Sequence, residues 1–300
     1  MTRRRFLASS TAAPIALAAA PPAATRFQLA CMTLPYSPFP FARSLKGIRG
    51  AGYEYVAWGT THPDSSGKRV PVIDWRDSPA KARQLAAQCR DEGLAPVMMF
   101  TQVNIEAPEG PEAHARRIEQ AAAAGIGFVL TFGKTERGQY DSAIRTLKHA
   151  GPLARQAGVL VVVKQHGGNT ATGADIARIL SDVSDDGVKM CYDAGNVLDY
   201  ESHDPIPDIR ACWQHVRAFA IKDHRDHPKD QDCGPGFGEI DHYRLFEPVM
   251  NTGHTMPLAF ENIFEPLVAR PAAPEGVDAL ARRAREYMES VLNGLRAAAA

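Results

Sequence analysis

The sequence predicts an α/β chain closed into one (β/α)8 TIM barrel, and three observations carry that expectation. Beyond residue 25, a short apolar run, a polar loop and an amphipathic stretch alternate eight times. That count fits a barrel of typically ~250 residues with insertions. Several of the runs are near-continuous Val, Ile, Leu, Phe and Met, the pattern of strands buried on both faces. The rival doubly wound sheet wants a Gly-rich phosphate turn after its first strand. Thr33-Leu34-Pro35-Tyr36-Ser37-Pro38-Phe39-Pro40 stands there instead.

Taken in chain order, the N-terminus reads as an address. Thr2-Arg3-Arg4-Arg5-Phe6-Leu7 precedes a mildly apolar, Ala-rich run to Ala20 and resembles a twin-arginine export signal. The run is too short and too weakly apolar for a transmembrane helix. Ala16-Leu17-Ala18 fits a small-x-small cleavage site. The expected organisation is a signal at 1–18, a linker at 19–25 and a barrel at 26–300. The mature chain is then expected in a periplasm or outside the cell, with no membrane contact after cleavage. Strand-like runs follow at 27–32, 53–58, 95–100, 127–132, 159–165, 188–193, 216–222 and 257–262. Helical segments at 78–92, 111–124, 143–157 and 173–184 lie between them. Gly93, Gly125, Gly158 and Gly253 fall just after helices, where a left-handed cap favours glycine. In the last helix Val277, Leu280, Ala284, Tyr287, Val291 and Leu295 share one stripe at the 3.6 period. No internal repeat or Gly/Ser linker divides this series, so one domain is expected.

Composition narrows the function. Lys+Arg and Asp+Glu both total 34, without the basic excess of a nucleic-acid binder. A mean hydropathy of -0.25 and the lack of a long internal apolar run exclude a multi-span membrane protein. The five cysteines are odd in number and form no CxxC pair, so they read as neither a zinc cluster nor a disulfide framework. They read as small buried hydrophobes, with Cys233 alone in a loop open to solvent.

In a barrel the chemistry sits at the C-terminal strand ends. Polar residues collect there in the second half: Lys164-Gln165-His166, Asp193-Ala194-Gly195-Asn196, Lys222-Asp223-His224 and Glu261-Asn262. Residues two apart on a strand share a face, so Lys164 aligns with His166, and Ala220, Lys222 and His224 form another set. The apolar run before Lys164 tolerates no unpaired charge. Each rim charge is therefore part of a site or of a salt bridge, and the convergence of four strands on one mouth favours a site.

Residues 26–265 resemble the xylose-isomerase-like barrel family of sugar phosphate isomerases and epimerases, which also includes hydroxypyruvate isomerases, inosose dehydratases and endonuclease IV. The resemblance rests on Gly52-Tyr53-Glu54-Tyr55-Val56, Cys191-Tyr192-Asp193-Ala194-Gly195-Asn196, Ile221-Lys222-Asp223, Gly236-Phe237-Gly238-Glu239-Ile240-Asp241 and Leu258-Ala259-Phe260-Glu261-Asn262. It implies a divalent metal held by Glu, Asp, His and Glu, which clamps two sugar oxygens while glutamates move a proton. This chain keeps Asp193 and Glu261 but has Lys164 and Ala220 at the other two ligand positions, and Ala57 at the family's strand-two Glu. It therefore reads as a divergent member.

Three readings of the site follow. In the first, no metal is needed: Lys164 and Lys222 balance Asp193 and Glu261, and an ammonium stabilises an enediolate or moves a proton once burial lowers its pKa. In the second, His166 and His224 join Asp193 and Glu261 in a rebuilt Zn or Mn site. In the third, Lys164 merely pairs with Glu261 in a carbohydrate-binding barrel without turnover. The leading expectation is an exported isomerase or epimerase of a sugar or polyol derivative, with no cofactor favoured. Glu261 would be the base and Lys164 the oxyanion donor; Asp193 and His166 would hold hydroxyls. Lys222, Asp223, His224 and Asn196 would shape the substrate pocket, with Trp58 and His62, and Phe100 and Gln102, as walls. The charged loop 223–236 and the 167–170 turn would add contacts. A lyase or dehydratase acting on an oxidised sugar is the alternative enzyme. Phosphorylated substrates are disfavoured outside the cytoplasm.

Overall fold

The computed structural model describes residues 23–299, so the expected signal at 1–18 and the linker up to residue 22 lie outside the described residues. Twelve strands are described: β1 (Arg26–Met32), β2 (Tyr55–Trp58), β3 (Thr61–Pro63), β4 (Arg69–Pro71), β5 (Ala95–Phe100), β6 (Phe128–Phe132), β7 (Leu160–Lys164), β8 (Val188–Tyr192), β9 (Val216–Ile221), β10 (Asp223–Arg225), β11 (Gln231–Cys233) and β12 (Thr255–Phe260). Eight of them close into a parallel barrel in the order β1-β12-β9-β8-β7-β6-β5-β2. The pairing of β1 with β12, Leu29 opposite Leu258 and Ala30 opposite Ala259, seals the ring. The (β/α)8 architecture expected from the sequence is the one observed. The other four strands form two small antiparallel hairpins, β3–β4 and β10–β11, which the apolar-run pattern did not register. They are three residues long, and no periodicity is visible over that length.

The described helices are α1 (Phe41–Gly50), α2 (Pro79–Asp91), α3 (Gly110–Ala124), α4 (Tyr140–Ala157), α5 (Gly173–Val183), α6 (Ala194–Glu201), α7 (Pro205–Cys212), α8 (His242–Phe246) and α9 (Pro274–Ala299). Their ends follow local chemistry. The Ser78 hydroxyl accepts from the Lys81 N–H at the start of α2, and Thr172 accepts from Asp175 N–H at the start of α5. Gly125 and Gly158 close α3 and α4 at φ 72° and 67°, where a Cβ would be strained. The unit after β9 departs from the expected rhythm: the β10–β11 hairpin comes first, and only the short α8 follows.

Strand alternation creates two cores. Ala30, Met32, Ala57, Met98, Phe100, Leu130, Val162, Cys191, Ala218, Ala220 and Ala259 fill the barrel interior. Their neighbours Val161, Val163, Met190, Tyr192, Phe219, Leu258 and Phe260 pack outward under the helices. Each fully buried side chain of the larger kind contributes about 1.5–3 kcal/mol. Val162, Cys191, Ala220 and Ala259 point inward, so the residues two further on, Lys164, Asp193, Lys222 and Glu261, belong to the same inward face. Among the described residues no helix is long and apolar enough to cross a membrane.

Candidate active site

Lys164 ends β7 at 2% exposure, and its ammonium reaches across the mouth. Nζ donates to Asp193 Oδ2 at 2.9 Å and to Glu261 Oε2 at 2.8 Å. Burial alone would push the lysine pKa down, but the Asp193 and Glu261 charges outweigh it and hold the value well above the ordinary 10.5. This corrects the expectation that burial turns Lys164 into a proton carrier. It is a fixed cation. An ammonium has three N–H donors, and these two carboxylates occupy two of them.

Asp193 is fully buried and doubles as the N-cap of α6, where Oδ1 accepts the Asn196 N–H at 3.0 Å. Its own N–H donates to Gln165 Oε1 at 2.9 Å, and Asn196 Nδ2 donates to the Gln165 carbonyl at 2.6 Å. Gln165 and Asn196 thus fix the carboxylate that fixes Lys164. Asn196, expected among the substrate contacts, has its N–H donors turned to the scaffold. His166 stands beside this centre, its ring centroid 4.3 Å from that of Phe132 at a tilt of 38°, with Nδ1 3.1 Å from the Gly133 carbonyl. Burial, and then the nearby Lys164 charge, lower its pKa, so a neutral imidazole faces the mouth.

Lys222 follows β9 at 6% exposure and pairs with Asp232 Oδ2 on β11. Its aliphatic chain lies across Gly195, where a Cβ would come within 2.6 Å of Lys222 Cγ. That close passage requires glycine in the first turn of α6. Burial would lower the Lys222 pKa, but Asp193 and Asp232 raise it on balance. A cavity of about 220 Å³ opens here, lined by Lys222, Asp232, Glu261, Asn262, Phe264 and Arg270. The Arg270 guanidinium lies 4.3 Å over the Phe264 ring. The sequence does not single out Arg270, and it marks Gln165 and Asp232 only within the 164–166 run and the 223–236 loop, without roles of their own. Arg270 follows the last barrel strand in a Pro-rich loop with no motif around it, and only the fold brings it to the mouth.

Several expected contacts are occupied elsewhere. Asp223 accepts four backbone N–H groups: those of Gly236 and Gly238 on Oδ2, and those of His224 and Ile240 on Oδ1. Gly238 is obligatory, since a Cβ would meet Asp223 Oδ1 at 2.2 Å. The carboxylate oxygens are therefore engaged in shaping the loop. Trp58 is 1% exposed in the outer core, with Nε1 donating to Cys89 Sγ of α2 at 3.3 Å, so it faces away from the mouth. His62 has Nδ1 2.8 Å from the Phe39 carbonyl and Nε2 3.0 Å from Thr33 Oγ1, which leaves no nitrogen for a ligand. Phe100 packs edge-on to Phe132, and Gln102 Nε2 donates to the Thr60 carbonyl. In the 167–170 turn, Asn169 Nδ2 is tied to Glu106 and Gly138. Cys233 is fully buried in β11, because the hairpin folds the loop over it.

The rebuilt Zn or Mn set does not assemble. His224 keeps company with Asp199 and Asp232, not with His166, Asp193 and Glu261. Burial and then the Asp232 charge push the Asp199 pKa up. The metal position that the resemblance implies does not fit a dication either. Lys164 Nζ lies between its two remaining carboxylates, and buried Ala220 offers no ligand atom. A double charge about 3 Å from an ammonium would be repelled by about 10 kcal/mol at an effective dielectric near 20.

Against known proteins, residues 45–287 match the family model for the xylose isomerase-like TIM barrel. Among solved structures, an L-ribulose 3-epimerase superposes at TM-score 0.69 and 18% identity, over 90% of this chain and 96% of that one. A xylose isomerase-like TIM barrel protein from Mycobacterium smegmatis, in complex with magnesium, gives 0.70 and 18%, over 89% and 97%. A probable 3-DHS dehydratase of Bacillus anthracis, involved in petrobactin synthesis, gives 0.63 and 12%, over 87% and 98%. No curated protein matches the chain. On the family match, which spans most of its length, the chain belongs to the xylose isomerase-like TIM barrel family.

Proposed function

We propose that this protein is an isomerase or epimerase of a sugar or polyol derivative that removes a proton next to a carbonyl, with Lys164 in place of a metal. The observation that carries the reading is the Lys164 ammonium held between Asp193 and Glu261, of which Glu261 lines the cavity. Glu261 lines that cavity, and its paired oxygen is Oε2, so Oε1 is the one to take the proton. As the proton leaves, charge grows on the adjacent carbonyl oxygen, and the remaining Lys164 N–H stabilises it. Lys222 adds a second fixed cation. Neutral His166 holds a substrate hydroxyl. The epimerase among the structurally similar proteins supports the reaction class.

A β-elimination on an oxidised sugar is the second reading, and the cavity wall favours it. Arg270 and Lys222 both line the cavity and suit a carboxylate. Ala57, where a second base would stand, carries no acid-base group. A screen of sugars and sugar acids for solvent deuterium uptake, read by mass spectrometry, tests both readings. Exchange that is abolished in Glu261→Gln supports proton abstraction, and loss of water from a sugar acid selects the lyase. Ligand binding without exchange or turnover would leave a binding barrel and overturn both.

We also infer export through the twin-arginine route, on the strength of Arg3-Arg4-Arg5 and the Ala-rich run behind them. The double substitution Arg3→Lys/Arg4→Lys should retain the precursor in the cytoplasm; unchanged fractionation overturns the inference.

A further inference from the structure

His224 lies beside the Lys164 centre and is 1% exposed, yet carboxylates face both edges of its ring. Nδ1 is 3.1 Å from Asp232 Oδ1 and 3.9 Å from Asp199 Oδ1. Nε2 is 3.3 Å from Asp226 Oδ1 and 3.4 Å from Asp230 Oδ1, and it is a buried polar atom with no hydrogen-bond partner. A neutral imidazole has one N–H and one lone pair. If Nδ1–H donates to Asp232, the Nε2 lone pair is turned toward two carboxylates. If Nε2–H donates instead, the Nδ1 lone pair confronts Asp232 and Asp199. Either tautomer leaves one edge repelled. Lys222 offsets part of the surplus of negative charge, through Asp232 Oδ2.

A divalent cation on Nδ1 removes the conflict. The ligand atoms of Asp199, His224 and Asp232 lie within 4.8 Å of one another, close enough to converge on one ion. With Nδ1 bound to the ion, Nε2 carries the proton, and the Asp226 and Asp230 carboxylates at 3.3 and 3.4 Å place favourable negative charge beside that N–H. Asp232 can bind the ion through Oδ1 while Oδ2 keeps Lys222. One imidazole nitrogen and two carboxylate oxygens suit Zn²⁺ or Mn²⁺ and leave further positions open to water.

We propose that Asp199, His224 and Asp232 form a divalent-cation site that pins the β10–β11 hairpin to α6 and, through Asp232, fixes Lys222 at the cavity. The proposal does not depend on the reaction assigned above. Its ligands are distinct from Asp193 and Glu261, where Lys164 stands in the way of a dication.

The test is calorimetric titration of the chelator-stripped, full-length protein with ZnCl₂ and with MnCl₂, followed by metal analysis after desalting. The expected result is one ion per chain, with affinity reduced at least tenfold in Asp199→Asn and in His224→Gln and retained in Glu261→Gln. Melting curves in chelator that match the parent show that the variants are folded, and the ion should raise the melting temperature of the parent but not of these two variants. Absence of binding at millimolar metal would mean that a proton alone satisfies His224 and would overturn the proposal. Binding that survives both variants, or that is lost in Glu261→Gln, would place the ion elsewhere and overturn it equally.

Discussion

His62 and His224 are buried alike, at 2% and 1% exposure, in the β3–β4 and β10–β11 hairpins, but only His62 of the two has both ring nitrogens occupied by neutral partners. The contrast extends to their surroundings. On the side of β2, β5 and β6, His114 bonds the Gly110 carbonyl and Thr131 Oγ1, and Trp58 bonds Cys89. On the side of β7, β8, β9 and β12, charges face one another: Lys164 against Asp193 and Glu261, and Lys222 and His224 against Asp232. Burial is therefore a poor mark of function in this molecule. Leftover bonding capacity is no better by itself, since Tyr36 Oη, Arg117 Nε and Thr146 Oγ1 are buried without a partner as well as His224 Nε2; the informative property is such capacity set among opposed charges.

The largest effect is expected from Lys164→Met, which strips the charged half of its cation. Asp193 would stay buried with a carboxylate neighbour and without its hydrogen-bonded cation, leaving only the Lys222 charge nearby, at a cost of about 3–5 kcal/mol in urea denaturation. Deuterium exchange should fall at least about a thousandfold. The pH dependence has a defined sign. The folded pKa of Lys164 lies above its ordinary 10.5, so its contribution is complete below that value and is lost as pH rises through the folded one. The stability gap between parent and variant should be flat near neutral pH and narrow only above about 10.5. A gap that closes near pH 7 would contradict the fixed-cation account.

Glu261→Gln should lower exchange by about 10²–10⁴-fold with a stability cost of only about 1–2 kcal/mol, because the amide oxygen still accepts from Lys164. Activity within tenfold of the parent would remove Glu261 as the base. Asp223→Ala should act mainly on the fold, at about 2–3 kcal/mol, since four N–H groups lose their acceptor. Its kinetic signature should be a raised KM, caused by a loosened 223–240 loop.

On the quieter side, burial lowers the His114 pKa from 6.5 to about 4. The unfolded chain binds the extra proton between those values, so stability should decline as pH falls from 6.5 toward 4, by up to about 3 kcal/mol. His114→Gln should flatten that limb of the profile; an unchanged slope would show that other groups cause it. The smallest effect is expected at Trp58. Trp58→Phe should leave KM within about twofold and cost about 1–2 kcal/mol, and a large KM change would return this ring to the substrate wall.

Much of the fold was legible because barrel strands and helices obey different periods over lengths that sequence can show. The runs around Val161, Met190, Phe219 and Leu258 are all barrel strands. The placement of Lys164, Asp193, Lys222 and Glu261 on one inward face followed from the same alternation. The hairpin around His224 was not legible, and neither was the arrival of Arg270. Nor could sequence separate Asp223 from Lys222, adjacent residues of which one serves the backbone and the other the cavity.

The sequence by itself determined an alternating chain whose second half places charges one step beyond its buried strands, because residue spacing alone decides which side chains share a face. Tertiary structure decided which of those charges meet and what bonding capacity each has left. Lys164 lies 29 residues from Asp193 and 97 from Glu261, and closure of the ring brings all three within hydrogen-bonding distance. The preference of an ammonium for two carboxylates over buried apolar surface acts only once that closure has removed the water between them.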